Sequence, residues 1–539
     1  MNTQEYDYVV IGSGFGGSVS AMRLAEKGYK VLLLEKGKRY KDKDYPKSDW
    51  NIRKFLWAPF IRCFGIQQLT FFRKVFVLSG VGVGGGSNVY ANTHMVPKDD
   101  FFNNPVWKDF KDWKAILMPF YDRAKYMLGT TPYDDFQKED YILKEIAEDM
   151  GRGDTFSGVN AGVYTGDTEE AKDPYFNGLG PLRKGCVKCA GCMVGCRYGA
   201  KNTLSKNYLH FAEHFGAEIL PESKAHRITY QNRHYEIEVH STTSWFRKKK
   251  KLFKSKGLIV SGGVLGTLSL LMDQKHGKKT LPDLSDTLGR NIMTNAEMLC
   301  GVTNIGEKMN HGIAITSVFN ADKNTHIEVV KYNSDSGVMG RLAMMAVGPG
   351  SGIVRTAKLI GKIISRPFQF LKSFFHFHQW GKDTIILLVM QNLEESLKMR
   401  WRKGFFRKGL AFDNRESHQK VPAYIPIGQE VMYRYAEKTG GIPQNVAMEI
   451  FLNTATTAHI LGGCPMGKDK SEGVVNDRFE VHGYPNMYIL DGSIIPCNLG
   501  VNPSLTITTL SEYAMSMIPE KEGNTHIPLQ QQLKHKIQE

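Results

Sequence analysis

Tyr6-Asp7-Tyr8-Val9-Val10-Ile11-Gly12-Ser13-Gly14-Phe15-Gly16-Gly17, followed after a helical span by Val31-Leu32-Leu33-Leu34-Glu35-Lys36-Gly37, is the stretch from which the fold is read. Tyr8 to Ile11 is an apolar run of strand length, and Gly12, Gly14 and Gly17 are spaced G-x-G-x-x-G. Ser18 to Lys27 carries helical apolar spacing before the second apolar run, so the stretch is a βαβ unit. The first glycine permits the tight turn, the second lets backbone approach a pyrophosphate, and the third lets helix pack on strand. That arrangement sets the phosphates at a helix N-terminus. Glu35 ends the second strand, where a carboxylate accepts from the adenosine ribose hydroxyls, and no arginine stands there to take a 2′-phosphate. The fingerprint alone leaves FAD and NAD both open.

Working outward, 539 residues exceed a single core, and a hydrophobic content of 42% is that of a globular protein. The balance of 70 Lys+Arg against 54 Asp+Glu, +16 net, suits an anionic surface, either nucleic acid or acidic lipid. Beside a metabolic fold signal the lipid is the better fit, and no nucleic-acid partner is expected. No apolar run reaches spanning length and no signal-peptide core precedes the first strand. Half of the eight cysteines (Cys186, Cys189, Cys192 and Cys196) crowd into one short stretch, unlike a disulfide-stapled secreted domain. A cytoplasmic location, with peripheral membrane contact, is the expectation.

Trp57 to Phe60 and Phe71 to Lys74 mix aromatics with cations, a stretch that suits either core or contact with lipid headgroups, core aromatics flanked by solvated charge being the better reading. Gly80-Val81-Gly82-Val83-Gly84-Gly85-Gly86-Ser87 is a second glycine cluster, which requires backbone to pass close to something flat or anionic. Helical patterns follow over Trp113 to Tyr126, expected to break at Pro119, and over Tyr141 to Asp149. Cys186-x2-Cys189-x2-Cys192-x3-Cys196 has an iron–sulfur spacing, with Arg197 where a proline usually follows. The interleaved Gly185, Gly191, Gly195 and Gly199 equally suit a tight loop packed on the cofactor domain. Two strands, Tyr235 to His240 and Gly257 to Ser261, meet through a basic tip, Trp245 to Lys254. Between His311 and Gln391 short strands predict a second domain. Within it Thr356 to Phe375 alternates Ile and Phe with Lys358, Lys362, Arg366 and Lys372 and is divided by Pro367. Two short helices, or a helix and a loop, are expected there, with apolar content and basic flanks that fit a helix lying in a membrane interface or one buried or covered by a partner.

The far end of the chain decides the cofactor. His459 sits in Thr457-Ala458-His459-Ile460-Leu461-Gly462-Gly463; Met487 to Leu490 is a strand ending at Asp491-Gly492; Gly500-Val501-Asn502-Pro503-Ser504 opens a helix with proline at its first turn. A strand-end carboxylate for a ribityl chain and a helix N-terminus for a pyrimidine belong to flavoproteins. With Val10 to Ser18, Gly82 to Ser87 and Gly199-Ala200-Lys201-Asn202-Thr203, these stretches resemble, in the right order and over nearly the whole chain, the glucose-methanol-choline family of FAD-dependent alcohol oxidoreductases and its cholesterol oxidase-like branch.

The resemblance implies an α/β fold, a Rossmann-type FAD-binding domain with a second α+β substrate domain on a mostly antiparallel sheet. We place the FAD domain at 1–100, 181–305 and 455–525, the cap and substrate domain at 101–180 and 306–454, and a tail at 526–539. It implies FAD held by Gly12, Gly14, Phe15, Gly16, Gly17, Glu35, Gly84, Gly85, Ser87, Asn88, Asn92, Asp491, Gly492 and Asn502. It also implies that His459 and Asn502 hold the alcohol, a bulky secondary one such as a 3β-hydroxysterol, while hydride passes to flavin N5 and oxygen reoxidises the flavin. Three departures matter. Tyr90 stands where the branch has an asparagine, leaving Asn88 and Asn92 nearby; the cysteine run is fuller than in the branch; and Trp380-Gly381-Lys382-Asp383 lacks the glutamate of isomerisation. Glu328, on an apolar run, is the expected substitute, ahead of Asp383. Two rivals remain: a dehydrogenase passing electrons through a cluster at Cys186 to Cys196 to a quinone or carrier, and a lipid-surface binding protein that keeps flavin only as structure.

Overall fold

The computed structural model describes residues 4–244, 249–394, 396–404, 408–413 and 421–538. Strand β1 (Gln4–Ile11), helix α1 (Phe15–Glu26) and strand β2 (Val31–Leu34) form the expected unit, with β1 and β2 parallel in a register that pairs Tyr8 with Val31 and Ile11 with Leu34. On the other side β1 pairs in parallel with Lys250–Val260, and Met487–Ile489 joins that strand at Leu258 to Val260. Val9, Val10, Leu32 and Leu33 are fully buried, as a parallel sheet covered on both faces demands. α1 packs on the helix Ser504–Ser516, where the Arg23 guanidinium donates to both oxygens of Glu512 at 2.9 and 2.8 Å. At its start α1 also passes so close to the end of the strand Met487–Ile489 that a Cβ on Gly16 would lie 1.7 Å from the Leu490 carbonyl oxygen.

The second sheet has eight strands in the order Ala343–Met345, Ile442–Val446, Met298–Thr303, Ile385–Gln391, Thr325–Val330, Ile315–Asn320, Ser157–Ala161 and Thr131–Tyr133, and its paired neighbours are antiparallel. Period-two alternation divides its faces. Ile385, Leu387 and Val389 join the core under helices Lys138–Asp149 and Pro426–Thr439, while Ile386 and Leu388 turn to the cavity described below.

Several expectations change. The helix Trp113–Leu128 runs unbroken through Pro119, because Trp113, Leu117, Tyr121, Ala124 and Leu128 bury one continuous face, in part against Ser504–Ser516, and that burial offsets the lost hydrogen bond. The same packing sets this helix in the core of β1, whereas Met298–Thr303 is placed in the second sheet by its pairing with Ile385–Gln391 and Ile442–Val446. The tail carries a helix, Leu529–Gln538, tied down where the Leu529 amide donates to Glu26. Phe60 and Phe71 are not core but 87% and 60% exposed: Phe60 lies in the turn Pro59–Ile61 between the strands of a two-stranded sheet, and Phe71 ends the edge strand Gln67–Phe71 of a three-stranded one. Gly352–Ser365 and Pro367–Phe374 are two helices parted at Pro367 as expected. The first buries only Arg355 and Leu359, and Ile353, Ile364 and Phe368 are 85%, 74% and 84% exposed. Of the basic tip, residues 245–248 lie outside the described residues.

Candidate active site

A cavity of about 780 Å³ runs between the two sheets, from the glycine loops at one end to His459 and Asn502 at the other. Gly12, Gly14, Phe15 and Gly16 line it where α1 begins, and Gly85, Asp491 and Gly492 face them. The two glycine loops touch: Gly84 and Gly85 have φ of +97° and +52°, and a Cβ on Gly85 would come within 2.6 Å of the Gly14 Cα. Glu35 rivets them, its Oε2 accepting from the Ser13 amide at 3.2 Å and hydroxyl at 2.7 Å, its Oε1 from the amides of Gly37 at 2.8 Å and Gly82 at 3.4 Å. It still borders the cavity, so the predicted ribose acceptor is also a structural clasp. Asp491 accepts from Ser493 at 2.8 and 2.6 Å and from Thr267 at 2.5 Å; burial pushes its pKa up and these bonds oppose the rise.

Other predicted contacts stand behind the wall. Gly17 faces the Gly12 carbonyl, where a Cβ would meet it at 1.9 Å. Ser87 ties Gly84 to Leu204, and Asn88 is spent on Val83 and Tyr45 at 3.2 and 2.7 Å. Asn92 is buried at φ +70° with both amide atoms unpartnered, and Tyr90 lines the cavity edge-on to Phe15. Lys201, also buried, donates to the carbonyls of Asn88, Tyr90 and Cys192, which fastens the cysteine loop to this region; burial lowers its pKa to about 7. The four loop cysteines are free thiols, and burial pushes Cys189 up to about 11. Among the described residues, no three or more His, Cys, Asp or Glu side chains are gathered to hold a metal ion.

The residues fit FAD. A Cβ on Gly14, Gly263 or Gly266, all lining the cavity, would meet nothing within 4 Å, so the glycines keep an open floor rather than fill one. At the other end Thr93 Oγ1 and Asn502 Oδ1 are buried without a protein partner beside the N-terminus of Ser504–Ser516.

His459 follows the strand Ala455–Thr457, which pairs with Val75 to Val77. Its Nδ1 lies 3.1 Å from Oε2 of Glu297, close enough for an ion pair but without hydrogen-bond alignment. Burial lowers the imidazole's pKa, but the Glu297 and Glu328 carboxylates outweigh it, and the pKa ends above its ordinary value. Asn502 Nδ2 donates to Glu328 Oε2 at 3.3 Å, while Glu328 Oε1 lies 3.1 Å from His326 Nε2. Glu328 shares its strand face with Val330, which lines the cavity. The structure thus brings Glu328 to Asn502. Asp383 is instead held by His376 at 2.5 Å and the Gly306 amide at 3.3 Å.

Sequence reading missed the segment Thr294 to Glu297. Asn295 Oδ1 accepts from the amides of Leu499 and Gly500 at 3.2 and 2.9 Å, and its Nδ2 donates to the Val501 carbonyl at 3.0 Å, fixing the loop that carries Asn502. Glu297, fully buried, accepts from Thr457 Oγ1 at 2.9 Å and the Ala458 amide at 3.1 Å, fixing the loop that carries His459. The one local signal was an acid next to an apolar strand, with nothing in sequence to name its partner.

Family models described as GMC oxidoreductase match residues 182–297 and 415–511, and one described as an NAD(P)-binding Rossmann-like domain matches 10–40. The chain is 40% identical over 543 residues to a cholesterol oxidase of Mycobacterium tuberculosis, covering 98% of this chain and 93% of that protein. It is also 40% identical over 537 residues to a cholesterol oxidase of Acinetobacter baumannii, covering 97% and 96%. A 2-methyl-1,2-propanediol dehydrogenase of Mycolicibacterium austroafricanum is 22% identical, with 96% of each chain covered. Among solved structures, pyridoxine 4-oxidase from Mesorbium loti superposes with a TM-score of 0.60 at 15% identity, covering 95% of this chain and 99% of that one, a likeness of fold.

Proposed function

The chain belongs to the GMC oxidoreductase family and is an FAD-dependent alcohol oxidoreductase, and we propose that its alcohol is a 3β-hydroxysterol, oxidised to the 3-ketone with oxygen as electron acceptor. The observation that carries this reading is the make-up of the alcohol end: the polar pair His459 and Asn502 lines the cavity together with Ile315, Val330, Tyr332, Trp380, Ile386 and Leu388, beside a smaller polar set of Glu297, Thr384, Gln444 and Asn445. Such a chamber suits one hydroxyl on a large apolar body. The relatives named cholesterol oxidase, alike over almost the full length, support the same choice.

Bound FAD supplies the two-electron acceptor. His459 takes the hydroxyl proton at Nε2, Asn502 orients the oxygen, and the apolar walls keep water away while the proton moves. Glu328, bonded to Asn502, is the carboxylate assigned to any later isomerisation of the ketone. The exposed apolar helices Gly352–Ser365 and Pro367–Phe374 dock on an anionic bilayer, the source of the sterol. No helix among the described residues is long and apolar enough to cross a membrane, so the contact is peripheral.

The test is anaerobic bleaching of the flavin spectrum by cholesterol. His459→Ala keeps FAD and slows bleaching by about 10²–10⁴-fold, the range of a positioned acid–base group. Bleaching of that variant at the wild-type rate would overturn the assignment of His459.

A further inference from the structure

The inference concerns what holds His459, and it rests on the reading of that residue as the proton acceptor. We infer that Glu297 is the positioning residue of His459: its carboxylate keeps the proton of the neutral imidazole on Nδ1, so that Nε2 is the free lone pair offered to the alcohol. Glu297 is fully buried, and two donors besides the ring fix it: the Thr457 hydroxyl at 2.9 Å, and the Ala458 amide, shared between Oε1 at 3.2 Å and Oε2 at 3.1 Å. Thr457 is fixed in turn: its single hydroxyl proton lies between Glu297 and the Thr294 carbonyl, 3.0 Å from Oγ1, and Oγ1 accepts from the His459 amide at 2.8 Å. Backbone and side chain of His459 are therefore referenced to one segment, and Nδ1 at 3.1 Å is the ring atom that faces the carboxylate. Catalytic hydrogen bonds are often out of line without ligand and tighten when it binds.

Charge points the same way. Among the described residues His459 is the only cationic partner within ion-pair distance of Glu297. Burial pushes the pKa of the nearby Glu449 carboxyl well above the usual carboxylate range, with Arg355 opposing, and the carboxylates that act on the His459 ring are Glu297 and Glu328. When the alcohol O–H bond breaks, its proton goes to Nε2, the carbinol hydrogen leaves with its electron pair for FAD, and the new imidazolium lies against a carboxylate already in place. The proton stays on Nε2 until the electron acceptor collects it.

The experiment is nitrogen NMR of histidine-labelled, FAD-loaded protein, with His459→Gln to assign the signal, beside steady-state kinetics of Glu297→Gln and Glu297→Asp. We expect a neutral wild-type ring protonated at Nδ1, a downward shift of its titration in Glu297→Gln, a fall in kcat of about 10²-fold there with KM little changed, and partial rescue by Glu297→Asp. A wild-type ring protonated at Nε2, which needs no variant to fold, overturns the inference. So does Glu297→Gln with unaltered titration and kcat. Full activity of His459→Ala would instead remove the proton-acceptor reading, and this inference with it.

Discussion

At the dinucleotide end of the cavity the walls are backbone: two glycine loops in contact, a glycine floor at Gly263 and Gly266, and one carboxylate, Glu35, whose hydrogen bonds join loop to loop. At the alcohol end they are side chains, gathered from Glu297, Glu328, His459 and Asn502, which come from segments far apart in sequence. The first end is built from glycine-spaced segments, a pattern each segment carries in its own sequence. The second depends on segments arriving together: Glu297 meets His459, and Glu328 meets Asn502, across long stretches of chain.

The largest expected effect tests the backbone end. Gly14→Val meets no protein atom within 4 Å of its Cβ, so the chain folds and melts as the FAD-free wild type does while losing FAD retention altogether. Gly16→Ala, with the Leu490 carbonyl at 1.7 Å, damages folding instead. Flavin absorbance per chain, read beside a thermal melt, separates the two outcomes. A yellow, stoichiometric Gly14→Val protein would show that the cofactor does not lie over Gly14.

This division also explains what could be read in advance. β1, α1, β2, both glycine clusters and the strand ending at Asp491 each carry their own spacing, so fold and cofactor were legible. His459 and Asn502 were legible through the motifs around them. Glu297 was not, because its significance is a contact with His459 across 162 positions of chain. Asn88 was expected at the cofactor, yet its amide is used by Tyr45, a partner no spacing announces. The exposure of Phe60 and Phe71 was missed because composition does not tell a covered sheet from an uncovered one.

The next effect sharpens the alcohol end. His459 titrates above its ordinary value because Glu297 and Glu328 favour the charged ring. The proton acceptor must be neutral, so the rate of anaerobic bleaching falls as pH drops through that raised pKa and holds above it. Glu297→Gln moves the acid limb to lower pH. A limb that stays in place would mean another group titrates there.

Isomerisation asks whether Glu328 serves two tasks. It is bonded to Asn502 and 3.1 Å from His326, so both oxygens are engaged before any ketone arrives. Oxidation therefore outruns isomerisation, and the unconjugated ketone accumulates. Glu328→Gln removes about tenfold or more of the residual conjugation, within the usual range for a positioned base, and Asp383→Asn, whose carboxylate faces His376, leaves it unchanged. Ultraviolet growth of the conjugated enone is followed against peroxide release. Equal rates from the first turnovers would mean a competent isomerase carboxylate has been overlooked.

The smallest effects lie where the alcohol end meets the surface. Met339, Leu342 and Ala343 line the cavity, and from the same short segment the Arg341 guanidinium donates to the Phe374 carbonyl at 3.2 Å and lies over its ring. One strip of chain thus separates the chamber from the helix Pro367–Phe374, while the dinucleotide end has no such neighbour among the described helices. If this face docks on lipid, Phe368, 84% exposed, gains most by burial, and Phe368→Glu weakens partition to anionic vesicles by about 10–100-fold, the cost of about 1.5–3 kcal/mol of lost burial. Lys372→Gln costs about 1 kcal/mol, roughly fivefold, at low salt and almost nothing at high salt, where the charge is screened. Co-sedimentation reads both. Binding that ignores salt would delete the electrostatic part alone; binding that also ignores Phe368→Glu would move the entry of the sterol to another face.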